Sequence, residues 1–179
     1  MTLATHAVVG ASLAELFPSH PVTAFVVGFL SHFILDAVPH WDYKILSSYA
    51  NPDTAMDANK GESKALSSES LKPDRLFKLD VIRIGADASL GAALVLMLWQ
   101  PHSLWQLFVL VLGAFGGVLP DLLQFVYMRF PHEPMVAIQS FHNFMHAKSD
   151  LKNKPFIGIA SQIAVVIVAF VLTKYLISL

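Results

Sequence analysis

The stretch that decides the fold runs from Leu104 to Met128 and reads LWQLFVLVLGAFGGVLPDLLQFVYM. It contains a single charged side chain, Asp121, and no lysine or arginine. A helix needs about 20 mostly apolar residues to cross the hydrocarbon core of a bilayer. This stretch therefore predicts a transmembrane helix, and one that carries a carboxylate into the membrane.

Four further apolar runs surround this one. Leu79 to Trp99 and Phe156 to Ile177 are of similar length and predict two more spans. Val22 to Val38 is shorter, but prolines bound it as they bound helices, and we expect it to cross as well. Thr2 to Phe17 reaches only roughly 24 Å as a helix, so it would cross fully only in a thinned or protein-lined region. The sequence predicts an all-α protein, a polytopic helical membrane bundle of four to five transmembrane helices.

The composition agrees with a membrane protein and excludes other classes. Of the 179 residues, 55% are hydrophobic and 14% are charged, whereas roughly 25% are charged in ordinary soluble domains. The formal net charge of -1 offers no basic excess for a nucleic-acid backbone, so we expect no nucleic-acid partner. Cysteine is absent, which excludes disulfides and thiolate ligands. The length suits one integral membrane domain, residues 1–179.

The basic residues predict the orientation of this domain. Ten of the 12 lysines and arginines lie in two long loops, about 40–78 and 129–155, and the short joints between the other runs carry none. The positive-inside rule then places both loops in the cytoplasm, with the protein in the inner membrane. Within the first loop, residues 47–72 are polar without apolar periodicity and predict a flexible loop. The second loop is expected to hold a short amphipathic helix.

Several ionisable side chains lie inside the predicted spans, where each costs about 2.5 to 3.5 kcal/mol and is by default a functional hypothesis. His32 and Asp36 are spaced i, i+4, so both project from one helical face and can hold a metal. A structural hydrogen bond between two helices is the alternative. Asp121 follows glycines and Pro120, which weaken the helix there; the alternative is a kink whose carboxylate caps a neighbour. Asp87 lies about two turns inside the run from Leu79 to Trp99.

Histidines supply the remaining candidates. His40 follows Asp36 by one helical turn of chain, and His6 begins the first run. His142 and His146 form a second i, i+4 pair in the second long loop, about 129–155. In the expected topology all of these groups fall within roughly 12 Å of the cytoplasmic interface, whereas unrelated structural residues would scatter over both halves of the membrane.

Together the candidates predict a metal centre. Imidazole and carboxylate ligands without thiolate suit zinc first, with iron or manganese as alternatives. The candidates exceed the three or four ligands that one zinc ion accepts, so we expect two ions. Asp36 and Asp121 are the two carboxylates expected to take part in catalysis. The full set of predicted metal ligands is His6, His32, Asp36, His40, Asp87, Asp121, His142 and His146.

Such a centre at the headgroup level suggests a reaction. Two metals stabilise phosphoryl transfer by binding the attacking and the leaving oxygen. We therefore expect hydrolysis of a phosphoester in a membrane lipid or a lipid-linked phosphate. The alternative is a small membrane protein without enzymatic activity, which uses the same residues as a structural metal site or to bind a cation.

Four short motifs also resemble a known family. They are Thr5-His6-Ala-Val-Val-Gly10, the nine residues from Gly28 to Asp36, Leu119-Pro-Asp121, and His142-x-x-x-His146. They look like those of the YdjM-like membrane-bound metal-dependent hydrolases and, more loosely, of zinc-dependent phospholipase C. The resemblance implies a helical fold and phosphodiester cleavage with clustered metal ions. It also implies ligand roles for His6, His32, Asp36, Asp121, His142 and His146.

Overall fold

The computed structural model describes residues 1–43, 45–46, 73–130, 132–147, 151 and 154–179. Over these residues the chain is helical, which confirms the predicted all-α class. The predicted flexible loop, 47–72, lies outside the described residues. The described part of the chain forms six helices and no strand: α1 (Leu3–Ala14), α2 (Pro21–Asp36), α3 (Pro73–Trp99), α4 (Leu104–Arg129), α5 (Met135–Met145) and α6 (Pro155–Ile177).

Three helices are long and apolar enough to cross a membrane, and they match the three longest predicted spans. Their membrane-compatible segments are Arg75–Trp99, Leu104–Tyr127 and Pro155–Ile177. The helices α1 and α2 have 12 and 16 residues, or about 18 and 24 Å at 1.5 Å per residue. Both are shorter than the hydrocarbon core of about 30 Å. The predicted count of four to five spans is therefore not confirmed.

The helices run alternately up and down the bundle. At one end, which we call the site end, the first turn of α1 meets Asp87 of α3 through Leu3 and the last residue of α2, Asp36, through His6. At the far end, Trp99 of α3 donates to the Ser12 hydroxyl of α1 at 3.3 Å. The start of α4 lies there too, because Trp105 donates to the carbonyl of Pro18 at 2.9 Å. The site end therefore collects the starts of α1 and α6 and the ends of α2 and α4.

Helix α1 is the core of the bundle. Eleven of its 12 residues are buried, and it packs against α2, α3, α4 and α6. A helix that is buried all round is shielded from lipid and water by its neighbours. Its length therefore does not have to match the thickness of the bilayer.

Glycines allow the backbones of α1, α2 and α4 to touch. A Cβ atom added at Gly10 or at Gly28 would lie 2.3 Å from the carbonyl oxygen of Gly113. Small residues at helix crossings are the usual means of close packing inside membranes. Helix α4 also continues through Pro120 to Arg129, so the proline does not end the helix ahead of Asp121. The three crossing helices thereby carry their polar residues to one point at the site end.

Candidate metal centre

Asp36, the last residue of α2, is the centre of a cluster of polar side chains at the site end. Around its carboxylate lie His6 from α1, His32 from α2, Asp121 from α4 and His142 from α5. His6, His32 and Asp36 have no exposed surface, and His142 is 2% exposed. Four helices thus bring histidines and carboxylates from distant positions in the chain to one buried place.

Four of these residues, which we call the first group, have the spacing of a metal site: His32, Asp36, Asp121 and His142. The Oδ2 atom of Asp36 lies 3.1 Å from Nε2 of His32 and 3.0 Å from Nε2 of His142. The two Nε2 atoms are 3.3 Å apart. Oδ1 of Asp121 lies 3.7 and 3.9 Å from them. Ligand atoms bound tetrahedrally at about 2.0 to 2.1 Å from zinc are about 3.3 Å apart, so the first group fits one such ion.

The orientation of His32 also suits a ligand. Its Nδ1–H donates to the carbonyl oxygen of Gly117 at 2.8 Å, which leaves Nε2, 3.1 Å from Oδ2 of Asp36, as the ring nitrogen available to a metal. Metal-bound histidines characteristically donate their other ring N–H to a carbonyl or carboxylate. The backbone of α4 therefore fixes the ligating tautomer of a histidine on α2.

A second group consists of Asp36, His40 and His146. Nε2 of His40 lies 3.8 Å from Oδ1 of Asp36, and Nε2 of His146 lies 3.9 Å from Oδ2. The Nδ1–H of His40 donates to the Val38 carbonyl at 2.7 Å, which again leaves Nε2 free to face Asp36. Burial lowers the pKa of His40 to about 4 and also lowers the pKa of His146. Both rings are therefore neutral at pH 7, the form that binds metal.

His6 lies beside both groups and is not hydrogen-bonded. Its Nε2 atom is 3.2 Å from Oδ1 of Asp36 and 4.0 Å from Oδ2 of Asp121, and its ring stacks on His32 at a centroid distance of 4.0 Å. Neither ring nitrogen of His6 has a hydrogen-bond partner of good geometry among the described residues, although both are buried. A buried polar atom left without a partner costs about 1 to 3 kcal/mol. A metal ion held with Asp36 would satisfy one of these nitrogens.

Asp87, which was predicted as a ligand, serves a different purpose in the structure. Its Oδ2 accepts from the backbone N–H of Leu3 at 2.7 Å and its Oδ1 from that of Ala4 at 3.2 Å. It belongs to neither group. The first N–H groups of a helix have no partner within the helix. A carboxylate accepts hydrogen bonds from them, and its negative charge interacts favourably with the positive end of the helix dipole. Asp87 therefore caps α1, because α3 packs alongside the first turn of that helix.

Gln162 of α6 is a site-end residue that the sequence analysis missed. Its Oε1 accepts from the backbone N–H of Thr2 at 3.0 Å and from the Thr5 hydroxyl at 3.1 Å. Its Nε2 donates to the Trp41 carbonyl at 2.7 Å. Gln162 thus ties α6 to α1 and to the segment that carries His40. Gln162 carries no charge, unlike the residues predicted from their ionisable side chains, and the signal for it in the sequence is an amide within an otherwise apolar run.

A small cavity adjoins the cluster on the side of Asp121. Its volume is about 40 Å³, enough for a few water molecules. The side chain of Asp121 is 22% exposed, in contrast to the enclosed His32 and Asp36. Burial raises the pKa of the neighbouring Asp42 to about 7. Water can therefore reach the first group at Asp121, and the cavity lining includes Leu3, Asp42, Tyr43, Ile84, Asp121 and Phe125.

No family model, no curated protein and no solved structure matches this chain. The motif resemblance therefore remains an expectation from the sequence.

Proposed function

We propose that this protein is an integral-membrane metal-dependent hydrolase that cleaves a phosphoester of a lipid or lipid-linked substrate at the cytoplasmic membrane face. The observation that carries the proposal is the close approach of four ligand atoms in the first group, two imidazole nitrogens and two carboxylate oxygens. In the structure the Met1 ammonium donates to Oδ1 of Asp36 at 2.8 Å and offsets the charge of that carboxylate. A bound metal ion would in addition offset the charge of Asp121, which otherwise adds to the electrostatic cost of the cluster.

Asp36 supports a two-metal version of this proposal. Its Oδ2 faces the first group through His32 and His142, while its Oδ1 faces His6 and His40. The Met1 ammonium also donates to Oδ1 at 2.8 Å, so a second ion held there by Asp36, His6 and His40 would take the place of the ammonium. Zinc suits the nitrogen and oxygen donors best, with iron or manganese as alternatives. When bound, such ions polarise a phosphoryl oxygen and lower the pKa of water toward 7.

Asp121 is the carboxylate best placed to meet a substrate. It borders the cavity and is partly exposed, whereas Asp36 is fully enclosed by the protein. Asp121 can orient a water or accept its proton, and Asp36 holds the histidines around it. The apolar cavity residues Leu3, Ile84 and Phe125 suit the part of a lipid next to its headgroup.

One observation favours a second candidate, a structural metal site without turnover. The first group offers four ligands and is largely enclosed, and structural zinc sites are closed four-ligand sites. The exposure of Asp121 to the cavity favours the hydrolase, because a catalytic site keeps one position accessible.

The test combines metal content with activity on detergent-purified protein. Wild type, Asp36→Asn and Asp121→Asn would be compared with Asp80→Asn, a matched control whose buried carboxylate accepts from the backbone N–H of Leu46 outside both groups. Elemental analysis gives metal per chain, and release of phosphate or headgroup from mixed phospholipids and lipid phosphates gives activity.

Wild type and Asp80→Asn are expected to hold metal and to turn over. Asp36→Asn should lose both metal and activity, and Asp121→Asn should lose activity with a smaller loss of metal, since it contributes one peripheral ligand. Absence of metal in protein purified without chelator would refute the proposal. Metal without turnover on any substrate would favour the structural site.

A further inference from the structure

Helix α5 lies at the site end of the bundle. It lies in the connection between the end of α4 and the start of α6, and both of those helices have their site-end termini there. Its C-terminal end is fixed to α2, because the backbone N–H of Ala147 donates to the carbonyl of Asp36 at 2.8 Å. An 11-residue helix between two such termini lies beside the site end of the bundle, which is the depth of the headgroups when α4 and α6 cross the bilayer.

The protein itself buries little of α5. Its buried residues are Gln139 and His142, both polar, whereas Phe144 is 81% exposed and Phe141 is 51% exposed. Isolated helices of this length are marginal in water. At about 100° per residue, the apolar residues Ile138, Phe141, Phe144 and Met145 share one side of the helix, and Gln139, Ser140 and Asn143 lie toward the other. The apolar side of α5 lacks enough protein contact to account for a stable helix.

The apolar side of α5 continues an exposed apolar surface of the bundle. The ring of Phe141 packs edge-to-face on Phe33 of α2 at a centroid distance of 5.0 Å. Next to Phe33, α2 exposes Ile34 at 68% and Leu30 at 54%. In a membrane bundle such a surface faces acyl chains. The aromatic side of α5 therefore meets the same acyl chains at their headgroup boundary.

We propose that α5 lies in the bilayer interface with Phe141 and Phe144 inserted among the acyl chains, and that this lipid contact holds His142 and His146 against Asp36. The bilayer then helps to hold the cluster together, because insertion of the apolar side of α5 into lipid turns its histidines toward Asp36. The insertion stands on the geometry of α5 alone. The consequence for metal binding rests on the proposed function.

Single-cysteine labelling tests the insertion, since the chain has no cysteine of its own. A nitroxide at Phe144→Cys would be compared in liposomes with one at Asn143→Cys, an exposed neighbour on the polar side. Ile167→Cys on α6 serves as the lipid reference and His102→Cys, in the joint before α4, as the water reference. Accessibility to dissolved oxygen and to a water-soluble nickel chelate reports depth.

The label at position 144 is expected to resemble the one at 167, and the label at 143 to resemble the one at 102. If position 144 is as open to the chelate as position 102, α5 lies in water and the proposal is overturned. Spin–spin broadening at 144, with exclusion of both reagents, would show a second copy of the chain on this face and would also overturn it.

Zinc affinity in lipid nanodiscs tests the coupling. Phe144→Ser is expected to weaken zinc binding about tenfold, the effect of losing one inserted aromatic ring. Phe144→Leu should restore it, and Ser140→Ala, a matched exposed position, should not change it. Equal affinity in Phe144→Ser and wild type would refute the coupling even if the labels report insertion. If no variant and no wild type binds zinc, the proposed function fails as well, while the depth measurement still decides the insertion.

Discussion

The imidazole of His32 donates from Nδ1 to the carbonyl oxygen of Gly117 at 2.8 Å, and both residues are buried. Gly117 also lies against α1, where an added Cβ would come within 2.4 Å of the His6 carbonyl oxygen. One glycine of α4 therefore positions two histidines that belong to two other helices. The absence of a side chain at residue 117 is what allows this.

Replacement of Gly117 by alanine should disturb the cluster without removing any candidate ligand. The new Cβ would push α1 away from α4, and overpacking of this kind costs about 1 to 3 kcal/mol. We expect lower thermal stability and lower metal content. Gly85→Ala is the matched control, because nothing lies within 4 Å of its added Cβ. An unchanged metal content in Gly117→Ala would show that the contact with α1 does not position the histidines.

Removal of single histidines should separate the two groups. His146→Ala is expected to lower the metal content from two ions to one, since His146 belongs to the second group alone. His32→Ala should empty the first group, because its Nε2 is among the atoms closest to Asp36. Elemental analysis with His132→Ala, an exposed histidine outside both groups, as control distinguishes these outcomes. Identical losses in the two cluster variants would argue for one shared ion.

Asp87→Ala should destabilise the protein and leave its metal content unchanged. The carboxylate accepts from two backbone N–H groups of α1, and loss of such a cap costs about 1 to 2 kcal/mol. Asp87→Asn keeps one acceptor oxygen and should fall between wild type and Asp87→Ala in thermal unfolding. A loss of metal without a loss of stability would restore Asp87 to the set of ligands.

His40 should remain neutral in the metal-free protein far below the usual pH. Burial lowers its pKa to about 4 from the ordinary value of 6.5, so its ring resonances in ¹H–¹⁵N spectra should hold from pH 7 to 5 and change as the pH falls toward 4. A midpoint near 6.5 would contradict the buried position of the ring.

Stability measurements are less direct for this question. Between pH 6.5 and about 4 the unfolded chain binds the His40 proton more strongly than the folded chain, so this residue lowers stability as the pH falls. Asp42, whose pKa burial raises to about 7 from 3.8, has the opposite sign over most of the same range. The two contributions offset each other, whereas the ring resonances report His40 alone.

Residues 102 and 132 should lie on opposite sides of the membrane, because α4 is long enough to cross between them. If the basic loops lie in the cytoplasm, as the positive-inside rule predicts, a membrane-impermeant maleimide should label His102→Cys in intact cells and His132→Cys only after lysis. The reverse pattern would invert the proposed orientation. Labelling of both in intact cells would mean that α4 does not cross.

The long spans could be predicted because the length of an apolar run and the thickness of the bilayer determine them, and packing has little influence. The residue at which α3 begins could not be predicted from the apolar run. The apolar run begins at Leu79, but the helix begins at Pro73, since backbone hydrogen bonding continues through polar turns that need no hydrocarbon around them. The burial of α1 could not be predicted either, because a short apolar helix has the same kind of sequence whether lipid or protein surrounds it.

The cluster itself was predictable where local spacing determines geometry. His32 and Asp36 share a helical face by their i, i+4 spacing, and the up-and-down topology places His6 and Asp121 at the same end. The role of Asp87 depends on which side of α3 meets α1, a property of packing that residue type does not reveal. The carbonyl of Gly117 has no side chain to signal it, and its contact with His32 follows from the close crossing of α2 and α4.

The central position of α1 has a consequence for biogenesis. The ribosome makes this helix before α3, α4 and α6, so three of the partners that enclose it emerge later. Until then a 12-residue segment with an uncompensated imidazole has no stable place in the bilayer, by length or by polarity. Stable insertion of α1 must therefore wait until α6 has been made, and a chain stalled before α6 would leave α1 open to the membrane quality-control proteases.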